Sequence, residues 1–387
     1  MKRVLWLASW YPNKLSPFDG DFLQRHARAV SLFCAVHVIY IVKDETGNIT
    51  KDEKTEITAN GNLTEQIIYY SSPKTGLKIL DRFLSHRKYR QLYQRAISDH
   101  VEKNGKPDLC HVQIAMRAGL GALWMKKKWN IPFLVSEQWT GYLDAVDFGI
   151  NNYSVIQKKW FRQILQQADA VTVVSDHLGK AIRQHFPSVN YQVIPNVVDT
   201  DIFFPVPKQP TDFVKFIHIS NMNYQKNTEA ILAALHVLKD EVLFSMQLYG
   251  TSNPALLQLI SSLQLGDKVM MMGEVPQPQL AKAIQQSDAL ILYSRYETFG
   301  CVLIEANACG VPVIVSDIDV FHELIKENEN GMFAKENDPA ALAEKIKAFI
   351  QQKDSFDQHA IAETTAGKYN FKKVGRQFID LYAELTS

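Results

Sequence analysis

The 387-residue sequence predicts an α/β protein of two doubly wound, parallel-sheet domains, and three observations carry that prediction. Short apolar runs alternate with helix-length segments along the whole chain. The alternation breaks once, in a proline-rich stretch near residues 195–212, and then restarts. The length is that of two ordinary domains, each able to bury its own core.

The elements follow in order. VLWLA (4–8) is preceded by two basic residues, as in a secretion leader, but it ends at WYPN, too short for an apolar core and cleavage site. It reads as a first buried strand. VHVIYIV (36–42), QIIYY (66–70), DLCHVQ (108–113), FLVSE (133–137), AVTVVS (170–175) and YQVIP (191–195) are the further strands of a domain placed at residues 1–200. The connection IPNVVDTDIFFPVPKQPTD holds four prolines and little periodicity. FVKFIHIS (213–220), FSMQLYG (244–250), KVMMMG (268–273), ALILYS (289–294) and PVIVS (312–316) build the second domain, 201–368. Within 369–387, FKKVGRQFIDLYAELTS reads as an amphipathic helix with Phe378, Leu381, Tyr382 and Leu385 on one stripe, able to pack back on the first domain.

Composition narrows the function classes. A formal net charge of +1 gives no global reason to expect nucleic acid. Cys34, Cys110, Cys301 and Cys309 have neither metal-site nor disulfide-framework spacing, which fits a reducing cytoplasm. No run approaches the ~18 apolar residues of a membrane span, so any membrane contact would be peripheral. The best element for one is DRFLSHRKYRQLYQR (81–95), where Arg82, Arg87, Lys88, Arg90 and Arg95 face a single Asp81. The same run reads equally well as a solvated helix covering its own domain. His111 is either a wall of an acceptor pocket or a satisfied packing residue.

Open α/β sheets bind ligands beyond the C-terminal ends of their strands, so with two such domains the cleft between them is the expected site. One strand exit there is SRYETFGCVLIEANACGVP (294–312): ALILYS is the strand, CVLIEANAC the next helix, and Gly310 with Pro312 its stop. Unpaired amides where the helix starts, at Gly300, Cys301 and Val302, suit a phosphate or diphosphate. Glu297 precedes this turn and Glu305 lies within the helix, of order 10 Å away. Two carboxylates acting on one carbon in a retaining glycosidase sit ~5–5.5 Å apart. The spacing suits the two ends of an extended ligand, or an ordinary helix with a solvated glutamate at each end.

SRYETFGCVLIEANACGVPVIVSD resembles the E-x7-E segment of the retaining glycosyltransferase family GT4, which has the GT-B fold: two Rossmann-like domains facing across a cleft. WYPNKLSPFDGDFLQRHARAV, QQADAVTVVS and VIPNVVDTDIFFP resemble further segments of that family, in the same order. The resemblance implies that Glu297 contacts the transferred sugar, that Glu305 holds the nucleotide ribose, and that amides around Phe299, Gly300, Cys301 and Val302 meet the diphosphate. It implies a phosphate-side cation at Lys226 and, at Gly20, a glycine that lets an N-terminal loop close on the phosphates. The donor would be a UDP-, GDP- or ADP-sugar and the acceptor a glycan or lipid-linked glycan.

Four positions, in three segments, depart from the family pattern. Asn221 stands where an arginine is expected, after Ser220 in place of glycine, so one phosphate cation is missing. Gln138, in VSEQWTG, replaces a histidine and cannot titrate. Val197 replaces the glycine of the interdomain turn. Retaining members are thought to let the leaving phosphate take the acceptor proton, so the loss at 138 does not exclude catalysis. Asp317 and Asp319 have the spacing of a metal-binding pair but sit in a loop after PVIVS, and metal independence is the expectation. Two other classes compete. A dehydrogenase would need a glycine-rich turn after VLWLA, where SWYPNK stands. A non-catalytic relative that binds nucleotide sugar as a scaffold is suggested by Asn221 and Gln138.

Overall fold

The computed structural model describes residues 1–72, 75–208, 211–251 and 253–386. It divides into two compact units, Met1–Asp144 with Phe148–Asn196 and Phe371–Ser387, and Ala145–Asp147 with Val197–Asn370. Gln209 and Pro210 of the proline-rich connection lie outside the described residues.

The first unit runs β1 (Arg3–Ala8), α1 (Asp21–Ser31), β2 (Ala35–Lys43), β3 (Glu53–Asn60), β4 (Leu63–Tyr70), α2 (Lys78–Asn104), β5 (Leu109–Gln113), α3 (Ala118–Trp129), β6 (Phe133–Glu137), α4 (Val155–Gln167), β7 (Ala170–Val173), α5 (Asp176–His185) and β8 (Gln192–Val193). The strands form one sheet in the order β3-β4-β2-β1-β5-β6-β7-β8. All neighbours pair in parallel except β3 with β4. Central strands are apolar because helices cover both sheet faces: every residue of β5 and β6 is buried. β3 is the reverse case, EKTEITAN with seven of eight positions exposed, an edge strand held by a hairpin rather than by burial. It has no apolar run, and the sequence did not announce it.

The second unit runs β9 (Val214–Ile219), α6 (Thr228–Leu238), β10 (Phe244–Tyr249), α7 (Pro254–Ser262), β11 (Val269–Gly273), α8 (Gln277–Gln285), β12 (Ala289–Leu292), α9 (Cys301–Ala308), β13 (Val313–Ser316), β14 (Gly331–Ala334), α10 (Pro339–Gln352) and α11 (Gln358–Tyr369). Its sheet is parallel throughout, in the order β11-β10-β9-β12-β13-β14. The order reverses direction at β9 and β12, and the exits of those two strands carry the site described below. The four-residue edge strand β14 was also unmarked in the sequence.

The closing helix α12 (Phe371–Leu385) belongs to the first unit and packs on α1. It buries Val374, Gly375, Phe378, Leu381 and Tyr382, while Leu385 is only partly covered. Gly375 permits the approach, since a Cβ there would meet the Ala29 carbonyl oxygen at 2.4 Å. The Tyr382 hydroxyl lies 2.6 Å from Nδ1 of His111, whose Nε2 is 2.6 Å from Ser136 Oγ. His111 is therefore a fully buried packing residue with both ring nitrogens in use. Among the described residues no helix is long and apolar enough to cross a membrane.

The basic stretch 81–95 lies on α2, and part of its charge is spent locally. Lys88 reaches Asp52 at 2.7 Å and Glu53 at 3.6 Å, and Arg95 is paired with Glu53. Lys126 is likewise paired with Asp169 at 2.7 Å.

Candidate functional site

In the second unit the exits of β9 and β12 are tied into one assembly. The β9 exit passes through Asn221 to a short helical turn at Tyr224–Lys226, where the Asn223 side chain accepts from Lys226 N at 3.3 Å. The β12 exit lies beside it. Arg295 N donates to Gln225 O at 2.8 Å, its guanidinium donates to Tyr224 O and to Glu229 Oε1 (2.8 Å), and it stacks over the Tyr224 ring at 4.1 Å.

These links bring Glu297 and Lys226 together. Oε1 of Glu297 accepts from Lys226 Nζ and from Ser294 Oγ at 2.9 Å, and Oε2 accepts from Gln225 Nε2 at 3.1 Å. Gln225 Nε2 also donates to Tyr296 O at 3.0 Å. A carboxylate oxygen has two lone pairs, so Oε2 keeps one acceptor direction while the group is held in a fixed orientation. Glu297 is 5% exposed, and a buried carboxylate persists only with such partners. The residues that fix it, Gln225 and Ser294, were not singled out in the sequence because the former lies 72 positions from its acceptor.

Beyond Glu297 the chain turns at Gly300, with φ 100°, where a Cβ would meet Leu303 and Phe321 side chains at 3.1 Å. α9 starts there with no side-chain cap. Cys301 and Val302 are partly exposed, and Phe299 is buried edge-on to Tyr369 at 6.1 Å. Glu305, 4% exposed, sits one turn into α9. The far end of α9 is pinned by Asn307, which donates to Val311 O (3.0 Å) and Asn330 O (3.1 Å).

Two further residues shape the β9 exit. His218 is buried, its Nδ1 2.8 Å from Ile291 O and its Nε2 2.8 Å from Ser220 Oγ. Burial holds its pKa down at about 4, with Lys226 adding to the effect, so it is a neutral positioning residue. Gly250, at φ 134°, backs the same loop: a Cβ there would lie 1.6 Å from Ser220 O. The serine that replaces the expected glycine at 220 thus has its own glycine across from it. Asn221 is exposed. Asp317 is 2.7 Å from His322 Nε2, and among the described residues no three metal-ligating side chains converge.

The first unit carries its own concavity, of about 430 Å³, beyond the C-terminal ends of β1, β2, β5 and β6. Its walls are Trp10, Tyr40, Tyr89, Trp139 and Tyr153, and Asp19, Lys43 and Arg117 bring charge to it. The loop after β5 is strained there, with φ 66° at Ile114 and 60° at Arg117. It is clamped from both sides: Ser9 Oγ donates to Ile114 O at 2.8 Å and Ala115 N donates to Glu137 Oε1 at 2.8 Å. Glu137 is fully buried, and burial pushes its pKa up to about 7 against hydrogen bonds that include the Tyr142 hydroxyl at 2.9 Å. Gln138 follows it, buried, its Nε2 3.5 Å from Nδ1 of His26. Gly20 caps α1 with φ 68°, and a Cβ there would meet Trp10 C and Tyr11 N at 2.9 Å. Its glycine is required by the loop's own packing.

Comparison with known proteins follows the same division. The family model described as glycosyl transferases group 1 matches residues 199–366, and that described as glycosyltransferase family 4 matches residues 58–202. N-acetyl-alpha-D-glucosaminyl L-malate synthase of Bacillus anthracis is 26% identical over 237 residues, 57% of this chain and 61% of the synthase. The chain thus spans about three-fifths of that relative's length. Among solved structures, sucrose-phosphate synthase from Thermosynechococcus elongatus has a TM-score of 0.80 at 18% identity, covering 100% of this chain and 99% of its own. Anabaena HepE, solved in complex with UDP-glucose, has a TM-score of 0.72 at 15% identity, covering 100% of both chains. These likenesses place the fold in the GT-B class.

Proposed function

We propose that this chain, which belongs to glycosyltransferase family 4, transfers a sugar with retention of configuration from a nucleotide-diphosphate sugar to a glycan or lipid-linked acceptor in surface polysaccharide assembly. The observation that carries the reading is the clamped Glu297–Lys226 pair beside the start of α9, with Glu305 buried one turn further on. Glu297 uses its remaining acceptor direction on a hydroxyl of the transferred sugar. Lys226 and the amides around Phe299, Gly300, Cys301 and Val302 meet the charge that develops on the leaving diphosphate. Glu305 holds the ribose.

Gln138 cannot take a proton, so the departing phosphate oxygen accepts the acceptor's hydroxyl proton as the acceptor oxygen joins the anomeric carbon. With charge met by side chain and backbone, turnover is expected to survive chelation of divalent metals. HepE was solved with UDP-glucose, which favours a UDP-sugar among the possible UDP, GDP and ADP donors. Such donors belong to the cytoplasm, and a lipid-linked acceptor would bring the protein to the inner face of the membrane.

The test is a thermal-shift panel of UDP-, GDP- and ADP-sugars on the wild type and on Glu305→Ala. Selective binding to the folded state raises stability by mass action. A selective rise lost in the variant supports the reading; an equal response to every nucleotide sugar, or none, overturns it.

A further inference from the structure

In α2 no residue before Tyr89 is buried, although the helix begins at Lys78. The uncovered turns are apolar as well as basic. Ile79 is 88% exposed, Phe83 61%, Leu80 41%, and Leu77, just ahead of the helix, 66%. The start of α4 repeats this, with Val155 84% and Ile156 63% exposed. His86 of α2 stacks on Trp160 of α4 with ring centroids 5.0 Å apart and planes 9° from parallel. Phe83 and Ile156 lie one turn ahead of those rings on the same helix faces.

Topology sets both patches at one edge. α2 leaves the C-terminal end of β4 and α4 follows that of β6, two strands that run in the same direction in the sheet. The aromatic concavity opens at that edge too: Tyr89 of α2 and Tyr153, just ahead of α4, are among its walls.

The charge on these turns is mostly positive. Lys78, Arg82, Arg87 and Arg90 on α2, with Lys159 and Arg162 on α4, are exposed. Among the described residues none of the six is in an ion pair. The acid among these turns, Asp81, accepts from Thr75 N at 2.7 Å and from Thr75 Oγ1 at 2.6 Å. A large apolar patch rimmed by cations is built for a surface that offers hydrocarbon and anions together. A second copy fits poorly, because a two-fold contact would set this rim against itself.

We propose that the first turns of α2 and α4 seat this unit on an anionic lipid bilayer, with the apolar side chains at the headgroup–acyl boundary and the cations on lipid phosphates. The aromatic concavity then opens at the bilayer surface, and its acceptor is lipid-borne, a statement that rests on the transferase reading where the membrane seat does not. Of the basic residues the sequence singles out on α2, Arg82, Arg87 and Arg90 serve this surface, while Lys88 and Arg95 are occupied by Asp52 and Glu53.

The test is cosedimentation of the full chain with vesicles of phosphatidylcholine alone or mixed equally with phosphatidylglycerol. The wild type is expected to bind the mixed vesicles, with partial loss at physiological salt. Ile79→Ser with Phe83→Ser and Ile156→Ser should cut partitioning by about tenfold or more. Arg82→Gln with Arg87→Gln should lower it and flatten its salt dependence. Both variants change only exposed side chains, and an unaltered melting temperature confirms that they fold. Wild-type protein left in the supernatant overturns the proposal. So does binding indifferent to the serine substitutions, or a dimer in solution that those substitutions dissolve without any vesicle binding. UDP-sugar thermal shifts on the same proteins separate the two readings: a retained shift without vesicle binding removes the membrane seat and leaves the transferase intact.

Discussion

The ammonium of Lys226 rests on Oε1 of Glu297, so the charge expected to meet a phosphate and the carboxylate expected to meet a sugar form one unit. Seventy-one positions separate them in the chain. Each holds the other's charge in a place where Glu297 is nearly inaccessible to water.

Lys226→Ala should therefore damage both stability and turnover. A hydrogen bond to a charged group contributes roughly 1.5–3 kcal/mol, which corresponds to a loss of about 10- to 100-fold in kcat/KM if that contact is made in the transition state. Adding Glu297→Gln to Lys226→Ala should recover melting temperature, because no unpaired buried charge remains, while turnover stays low. Steady-state kinetics and thermal unfolding of the three proteins check this.

Asn221→Arg should lower the donor KM. Asn221 is exposed beside the loop that carries Lys226, so an arginine has room to extend. An unchanged KM would show that Lys226 and the backbone amides already meet the diphosphate fully.

Gly250→Ala should be among the most destabilising single changes in the second unit. The new methyl would sit 1.6 Å from a backbone oxygen, and φ 134° is unfavourable for any L side chain. Relief requires moving Ser220, whose N–H donates to Tyr249 O at 3.0 Å. A loss of roughly 3 kcal/mol or more is expected, read from denaturant unfolding.

Glu137 makes stability depend on pH in a direction opposite to that of most carboxylates. Its folded pKa, near 7, lies above the ordinary 4.5, so between those values the folded state binds the extra proton and stability falls as pH rises. Glu137→Gln should therefore stabilise the protein by a few kcal/mol above pH 7, with the gain shrinking to nothing below about pH 4.5. His26 and His218, both held near 4 by burial, act in the reverse sense. Their stabilisation is complete above the ordinary histidine value of 6.5 and fades as pH falls toward 4. Denaturant melts of the wild type and Glu137→Gln across pH 4–8 separate the two contributions.

The apolar central strands could be read from the sequence because their burial on both faces leaves continuous runs such as VHVIYIV and FLVSE. β3 could not, because an exposed hairpin edge keeps its register through backbone pairing and needs no apolar residues. The turn into α9 was legible from Glu297, Gly300, Gly310 and Pro312, all within one short segment. What holds Glu297 was not, because Gln225 comes from another strand exit. Gly250 was hidden for the same reason: its requirement comes from Ser220, which no local pattern places opposite it. The pairing of Lys88 and Arg95 with Asp52 and Glu53 likewise joins a helix to a strand end across more than thirty positions.

The return of α12 to the first unit has a consequence for biosynthesis. The groove on α1 that receives Gly375, and the His111 ring that meets Tyr382, are made early on the ribosome and wait for residues 371–385. At roughly 5–20 residues per second, the wait after residue 196 lasts about 10–35 s. Throughout that time the second unit is being synthesised and can close on its own, while the first exposes an apolar seam along α1. The half of the protein that is translated first is completed last, and the nascent chain is most open to chaperone capture or misassembly in that interval.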